Sequence, residues 1–383
     1  MIFFCFIIII HISVDSDLAE NDREIADPKE LSNDPNRADN SYHVVTVSYT
    51  DPNTILDGFT ITTGNADGSG DNDSGGGIFN VYSSPTVRNC TFIDNSAEYQ
   101  GGGMFNAYSS PTVINCTFIG NSATRGGGMR NVALSNPTLT SCTFIGNSAD
   151  YEGGGIFNLS SNPTVNNCTF IGNSAGFYGG GMHNYSSSLT MTGCTFTGNL
   201  AEYGGGMFNN GSDLTLTNCI LWGNISSTDG NEISLGGYSI IDISYCDVRG
   251  GWPGLGNIDA NPHFIESGHW EDTNNTPSDA SDDVWINGDY HLKTEGWRWD
   301  SIRERWDYDT VTSRCIDAGN PGSPLGTELS VIPDDPDNLW GENIRINMGA
   351  YGGTAEASMP PHDWALLGDL TGSTFAIFEV IDG

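Results

Sequence analysis

Three consecutive glycines followed by an aliphatic residue recur six times in this chain of 383 residues, and this repeat constrains the fold more than any other feature. The aliphatic residues are Ile78, Met104, Met129, Ile156, Met182 and Met207. Cysteines recur at nearly the same period of 26, at Cys90, Cys116, Cys142, Cys168, Cys194, Cys219 and Cys246. Asparagines recur near the end of each repeat, at Asn95, Asn121, Asn147, Asn173, Asn199 and Asn224. A fixed period of this length predicts stacked structural repeats.

Each repeat contains only short apolar segments separated by Gly, Asn, Ser and Pro, and no apolar period of 3.6 residues. This pattern excludes helical repeats and predicts an all-β solenoid, a right-handed parallel β-helix of about 26 residues per coil with an irregular C-terminal cap. The residue three before each of the first six cysteines should point inward: Val87, Val113, Leu139, Val165, Met191 and Leu216. The residue before each of the first six cysteines should occupy a bend with positive φ: Asn89, Asn115, Ser141, Asn167, Gly193 and Asn218. The recurring asparagines should hydrogen-bond from coil to coil.

The chain divides into five predicted parts. Residues 1–14 are apolar and are interpreted as a possible signal segment, since they are shorter than the roughly 18–20 residues that span a bilayer as a helix. Residues 15–42 are an acidic linker, residues 43–250 the β-helix repeats, residues 251–355 irregular terminal coils and a cap, and residues 356–383 a tail. Six of the nine tryptophans lie between residues 250 and 310, and we expect them to form the core of the cap.

The composition restricts the partners. With 48 acidic and 13 basic residues, the chain has a formal net charge of −35. Phosphate-rich partners need basic patches, so the charge argues against nucleic acid and anionic membrane as partners. We expect no membrane span in the mature chain and an extracellular or cell-surface location after export. The sequence leaves the oligomeric state open.

Motifs inside and outside the repeats carry a family resemblance. The GGG[IM] and F-I-x-N elements are similar to the GGA[ILV] and FxxN repeats of chlamydial polymorphic outer-membrane proteins. The chain resembles more closely the secreted right-handed parallel β-helix repeat proteins of bacteria such as planctomycetes. The flanking motifs of that resemblance are NSYHVV at 40–45, LDGFTI at 56–61, YCDV at 245–248, DYHL at 289–292, CIDAGNP at 315–321 and INMGAYGG at 346–353. The resemblance implies a secreted β-helix and no single agreed activity.

The cysteine column has three interpretations. Stacked Cα atoms about 4.8 Å apart lie within the range of a disulfide, but parallel side chains disfavour its dihedral angle. Four ligands in a row cannot surround a tetrahedral zinc ion. A buried column of small apolar thiols is the preferred interpretation, and disulfides between neighbouring coils or a metal remain open.

A candidate ligand-binding face follows from the alternation of side chains along a strand. The residue after each inward aliphatic should point outward: Phe79, Phe105, Arg130, Phe157, His183 and Phe208. The turn before the glycines adds Tyr99, Arg125, Asp150, Tyr151, Glu152, Tyr178, Glu202 and Tyr203. Aromatic rings stack on sugars and arginine pairs with carboxylates, so this face could grip a polysaccharide, such as a uronic-acid chain. The alternative is that the stripe packs beneath a loop or the C-terminal region.

Two further possibilities concern catalysis and metal binding. Right-handed β-helices include polysaccharide lyases and hydrolases, for which Arg125, Arg130, Asp150 and Glu152 are the only plausible cluster here. Asp67, Asp71 and Asp73 could bind calcium through their oxygens, and no other cofactor is predicted. The sequence favours an exported scaffold that binds a polymer for adhesion. The alternatives are an enzyme on the same fold and a structural spacer of a larger surface protein.

Overall fold

The computed structural model describes residues 40–50, 53–273, 283–300, 303–329 and 343–361. Over these residues the chain winds into a β-solenoid of about seven turns with four parallel sheets, and it contains no α-helix there. Each turn contributes one strand to each sheet, and strands pair in register with their equivalents one turn away. The predicted all-β solenoid is therefore confirmed. Residues 1–39, which include the possible signal segment, most of the acidic linker and Cys5, lie outside the described residues.

The four sheets are called A to D in chain order. Sheet A contains Val45–Ser48, Ile78–Val81, Met104–Ala107, Met129–Val132, Ile156–Leu159, Met182–Tyr185, Met207–Asn210 and Ile233–Gly236. Sheet B contains Ile55–Asp57, Thr86–Arg88, Thr112–Ile114, Thr138–Thr140, Thr164–Asn166, Leu189–Thr192, Asp213–Thr217 and Ile240–Ser244. Sheet C contains Thr60–Thr62, Thr91–Ile93, Thr117–Ile119, Thr143–Ile145, Thr169–Ile171, Thr195–Thr197, Ile220–Leu221 and Asp247–Val248. Sheet D contains Asn65–Ala66, Ser96–Gln100, Ser122–Arg125, Ser148–Glu152, Ser174–Ala175, Leu200–Tyr203 and Ile225–Asp229.

One continuous apolar core fills the solenoid, because equivalent residues of successive turns stack on one another. The inward residues of sheet B that the sequence predicts, such as Val113 and Leu139, are fully buried. The phenylalanines of sheet C stack face to face from Phe92 to Phe196, with ring centroids 4.3 to 5.0 Å apart. The seven cysteines of the column are buried in the same core, and none of the eight cysteines in the described residues is paired. The predicted packing of buried thiols is confirmed.

The corners follow the predicted chemistry. The residues before the first six cysteines of the column all have positive φ, between 51° and 62°, and so does Tyr245 before the seventh, at 53°. Asparagine and glycine tolerate this left-handed conformation better than other residues, which explains why they dominate the position.

Two ladders of buried asparagines run along the interior. From Asn95 to Asn224 each Nδ2 donates to the Oδ1 one turn further on, at 2.7 to 2.9 Å. A second ladder of the same kind runs from Asn80 to Asn209 in sheet A, at 2.7 to 2.9 Å. The first ladder ends on the buried carboxylate of Glu232, which accepts from Asn224 Nδ2. These bonds satisfy polar groups that burial would otherwise leave unpaired.

The C-terminal region is placed differently from a simple terminal cap. Trp252 packs against the main core near the last coil, and Ile258 forms a bridge with Asp247, so the segment of residues 250–260 lies at that end as expected. The described residues that follow fold back along the outside of sheet C, and we call residues 264–273, 283–300, 303–329 and 343–359 the strap. Its antiparallel strands are Phe264–Glu266 with Asp289–Leu292, His269–Glu271 with Val284–Ile286, and Arg298–Asp300 with Arg305–Asp307.

The strap is held by apolar contacts and hydrogen bonds to the side of the solenoid. Ile171 and Ile220 of sheet C share an apolar cluster with Phe264 and Leu292 of the strap. Trp270 Nε1 donates to the carbonyl of Gly198 at 2.8 Å. Outward apolar side chains on the later coils therefore provide the surface that the strap covers.

Candidate functional site

The outward column of sheet A is buried, contrary to the expectation of an exposed aromatic stripe. We call this column the stripe. Its six members are between 1% and 8% exposed: Phe79, Phe105, Arg130, Phe157, His183 and Phe208. They lie outside the main core, since Phe79 and Phe105 form a separate cluster with Val81 and Val132. The prediction that a ligand stacks directly on these rings is therefore wrong, because they are covered.

The corner between sheets D and A explains this burial. The glycine triplets carry no side chains, so the corner packs closely on the stripe; a Cβ at Gly153 would lie 2.8 Å from Phe157 Cβ. Side chains that precede the triplets then fold over the stripe. The ring of Tyr178 lies 4.6 Å from Phe208 and 5.6 Å from His183.

An exposed row of flat groups lies above the buried stripe, along the end of sheet D. Tyr99, Tyr151 and Phe177 are 41%, 39% and 39% exposed. The Arg125 guanidinium lies between the first two rings, 5.2 Å from the centroid of Tyr99 and 5.5 Å from that of Tyr151. The ring of Phe177 comes next in the row, with its centroid 4.5 Å from that of Tyr151. We call these four residues the platform.

One ion pair anchors the platform. Arg125 Nε donates to Glu152 Oε2 at 3.1 Å, with side chains that are 27% and 15% exposed. Glu152 Oε1 lies 3.9 Å from Nδ1 of the buried His183. Asp150 is exposed on the same strand as Glu152, and Tyr203 and Glu202 are half-buried two coils further on. The structure thus brings Arg125, Glu152 and His183 together.

Beneath the platform, Arg130 and His183 are buried without hydrogen bonds. Arg130 is 5% exposed, and its Nε and Nη1 have no acceptor among the described residues. Neither ring nitrogen of His183, which is 1% exposed, has a hydrogen-bond partner there. Burial, and then the Arg130 charge, lowers the pKa of His183 to about 3, so this imidazole is neutral at physiological pH. Burial, and then the Arg125 charge, lowers the pKa of Arg130 to about 10, so the guanidinium stays charged.

At one corner, both the platform and the stripe contain an arginine where the adjacent coils have other residue types. In sheet A, Arg130 takes the place held by Phe105 and Phe157 in the adjacent coils. In sheet D, Arg125 lies between Gln100 and Glu152. These two arginines, separated only by residues 126–129, are the only Arg or Lys residues between positions 89 and 248. A local concentration of irregular polar residues within a uniform repeat marks this corner as the candidate site.

The predicted calcium ligands do not form a metal site in the described part of the chain. Asp71 and Asp73 lie in a short 3₁₀ turn, Gly70–Asp73, and Asp67 accepts a hydrogen bond from Asn65. No group of three or more His, Cys, Asp or Glu side chains is arranged to hold a metal ion over the residues that the structure describes.

Sequence reasoning missed a second exposed aromatic row. Tyr49, Tyr82 and Tyr108 lie at the corner between sheets A and B and are 67%, 48% and 57% exposed. Their rings stack at 5.1 and 4.8 Å, and each residue has positive φ. The recurrence of tyrosine before Ser-Ser-Pro in two of the repeats was the available signal.

Comparison with known proteins agrees with this architecture. Residues 36–188 match the family model described as a right-handed beta helix region. This chain contains a right-handed β-helix. The parallel sheets of the β-helix continue beyond the matched residues to Val248. No curated protein and no solved structure matches the chain at a significant level.

The finer resemblance to planctomycete or chlamydial proteins is not tested by these comparisons and stays a prediction. Within the described residues the β-helix and its strap include no helix that is long and apolar enough to cross a membrane.

Proposed function

We propose that this β-helix protein is an exported scaffold, extracellular or attached to the cell surface, that binds a carbohydrate polymer along the corner between sheets D and A. The platform is the observation that carries the proposal. Three exposed rings and a guanidinium, in the order Tyr99, Arg125, Tyr151 and Phe177, form a continuous row. Exposed aromatic rings of this kind supply a large amphipathic contact area for a ligand.

The repeat of the solenoid suits a ligand that is itself repetitive. Equivalent residues of successive coils are spaced by the interstrand distance of about 4.8 Å. The platform therefore extends along the axis of the solenoid, and a polymer can contact several coils at once. Multiple weak contacts of this sort give strong retention through avidity, which suits adhesion or attachment to a matrix.

The charge of the chain adds to this argument. The chain carries a net charge of −35, yet the only two arginines between residues 89 and 248 both lie at the platform corner. A surface that repels anions elsewhere therefore keeps local positive charge at the candidate site. Export is supported by the apolar run at residues 1–14 and by the resemblance to secreted repeat proteins.

The experiment is a retention assay combined with a measurement of polymer length. The full-length protein is incubated with a panel of neutral and acidic polysaccharides, with and without calcium. We expect retention on at least one polymer and no shortening of it. Failure to be retained by any polymer contradicts the proposal. Shortening would support the alternative, a lyase or hydrolase, and would direct attention to Arg125, Arg130, Asp150 and Glu152.

A further inference from the structure

Arg130 is a buried positive charge that forms no ion pair within the described residues. Arg125 and Arg130 contribute two guanidinium groups, and Glu152 contributes the carboxylate that pairs with Arg125. His183, the other titratable group buried against this cluster, has its pKa lowered to about 3 and is neutral. Within the described residues, one buried positive charge is therefore left without an ion-pair partner. Proteins normally pair buried charges, because an isolated ion loses its hydration on burial.

Arg130 is also the group with free hydrogen-bonding capacity. Its guanidinium stacks on Phe157 at 4.4 Å, which leaves the N–H groups at its edge available. Nε and Nη1 are buried and have no acceptor in the described part of the chain. A guanidinium presents its donors in a planar fork whose geometry matches the two oxygens of a carboxylate.

The two guanidinium groups are arranged around one exposed ring. The carbon centre of the Arg125 guanidinium lies 5.2 Å from the centroid of Tyr99, and that of Arg130 lies 5.9 Å from the same centroid. Tyr99 itself is 41% exposed, so a sugar that contacts this ring approaches both positive charges. In the neighbouring coils of sheet A, phenylalanine fills the position of Arg130 without any desolvation of charge.

We propose that the corner formed by Arg125, Arg130 and Tyr99 is a subsite for an oxyanion, and that this oxyanion is the carboxylate of an acidic sugar in the bound polymer. The inference rests on the proposed function, since it specifies the class of carbohydrate that the platform selects. In this arrangement Arg125 contacts the ligand at the surface. Arg130 supplies the uncompensated charge and the free N–H groups below it.

The test compares a polysaccharide with its own neutral derivative. Polygalacturonate and fully methyl-esterified polygalacturonate share a backbone and differ in the charge of the carboxyl group. We expect the wild-type protein to bind the acid at least about tenfold more tightly than the ester at low salt, because charge-assisted hydrogen bonds form only with the ionised group. Added salt should reduce this preference.

A variant and its control test whether Arg130 causes the preference for the acid over the ester. Arg130→Met keeps the apolar contact with Phe157 and removes the charge, so binding of the acid should weaken by about tenfold and its advantage over the ester should be lost. The matched control is Arg88→Met, which removes an equal charge from the exposed Arg88–Asp57 pair on sheet B. This control should keep the wild-type preference.

Glu152→Gln provides a variant with the opposite expected effect. It removes the carboxylate that competes for Arg125, so it should strengthen binding of the acid. The neutral amide that replaces the carboxylate leaves the Arg125 charge free to pair with the ligand. This change tests the site even if Arg130→Met fails to fold, which circular dichroism would show.

Each outcome decides a different point. Equal binding of the acid and the ester by the wild-type protein overturns the inference and leaves the proposed function intact. Binding of neither polymer, together with retention on no other polysaccharide, removes both. Tighter binding of a sulfated galactan than of polygalacturonate would assign the subsite to sulfate and contradict the carboxylate.

Discussion

Asn147 Nδ2 donates a hydrogen bond to Asn173 Oδ1 at 2.9 Å, one coil of 26 residues away, and both side chains are completely buried. The same Asn147 Nδ2 donates to the carbonyl of Phe118 at 2.9 Å. Its Oδ1 accepts from the backbone N–H and the Nδ2 of Asn121 at 3.1 and 2.9 Å. A single side chain therefore joins three successive coils.

Replacing Asn147 with alanine should destabilise the protein by about 3 kcal/mol. The substitution leaves the buried backbone N–H and one side-chain N–H of Asn121 without their acceptor, and each such loss costs about 1–3 kcal/mol. Denaturant unfolding measures the change. Asn166→Thr is the control, because threonine occupies the equivalent position in both adjacent coils, and it should shift stability by less than about 0.5 kcal/mol. Equal effects of the two substitutions would contradict the ladder's role.

The asparagine ladders illustrate what the sequence could predict. The period of 26 residues determines which residues stack, so the inward positions of Val113 and Leu139, the bend at Asn115 and the ladder from Asn95 follow from the repeat alone. These features depend on contacts between equivalent residues.

The candidate site was less predictable because it depends on contacts between unlike columns. Alternation along a strand correctly places Phe105 outside the main core, but it does not reveal that the corner and the side chains of sheet D fold over it. The path of the strap could not be predicted either. Trp285 lies over Gly172 and Gly198, which are distant from it in the sequence, and no repeat relates these residues.

Glu232 should make stability depend on pH. Burial raises the pKa of its carboxyl from 4.5 to about 7, against the hydrogen bonds from Asn224 and Gly223. The folded protein therefore retains a proton that the unfolded chain releases. The stability due to this proton is complete below about pH 4.5 and is lost as the pH rises through about 7.

Glu232→Gln removes this titration and keeps an acceptor for Asn224. The loss of unfolding free energy between about pH 5 and about pH 8 should be smaller in the variant than in the wild type, by an amount of the order of 2–3 kcal/mol. Unfolding curves at the two pH values measure the difference. Asp213→Asn, on an exposed position of sheet B, should retain the wild-type dependence. An unchanged dependence in Glu232→Gln would contradict the prediction.

Gly198 and Gly146 allow a matched test of the strap. Both are corner glycines with positive φ, at 66° and 59°, but a Cβ at Gly198 would overlap the Trp285 ring, whereas one at Gly146 would meet nothing within 4 Å. Gly146→Ala should cost only the backbone strain, about 1–2 kcal/mol. Gly198→Ala should also displace Trp285 and expose the strap to limited proteolysis. Equal protease sensitivity of the two variants would place the strap elsewhere.

The cysteine column should be unreactive in the folded protein. Cys168 and Cys194 are fully buried, and burial raises the pKa of both thiols. Because all eight cysteines in the described residues are buried, a thiol reagent should reach none of them rapidly in the native protein. It should label all of them after denaturation without a reductant. Fewer than two free thiols in the denatured, unreduced protein would instead indicate disulfides between neighbouring coils.

The most direct test of the proposed function compares the two exposed aromatic rows. One triple variant replaces Tyr99, Tyr151 and Phe177 with alanine, and a matched variant replaces Tyr49, Tyr82 and Tyr108, which are at least as exposed on a different corner. Retention on the polysaccharide that binds the wild-type protein best is measured for both. We predict that the first variant loses at least about tenfold in affinity and that the second binds like the wild type. Unchanged retention of the first variant, or an equal loss in both, would contradict the assignment of the platform as the binding surface.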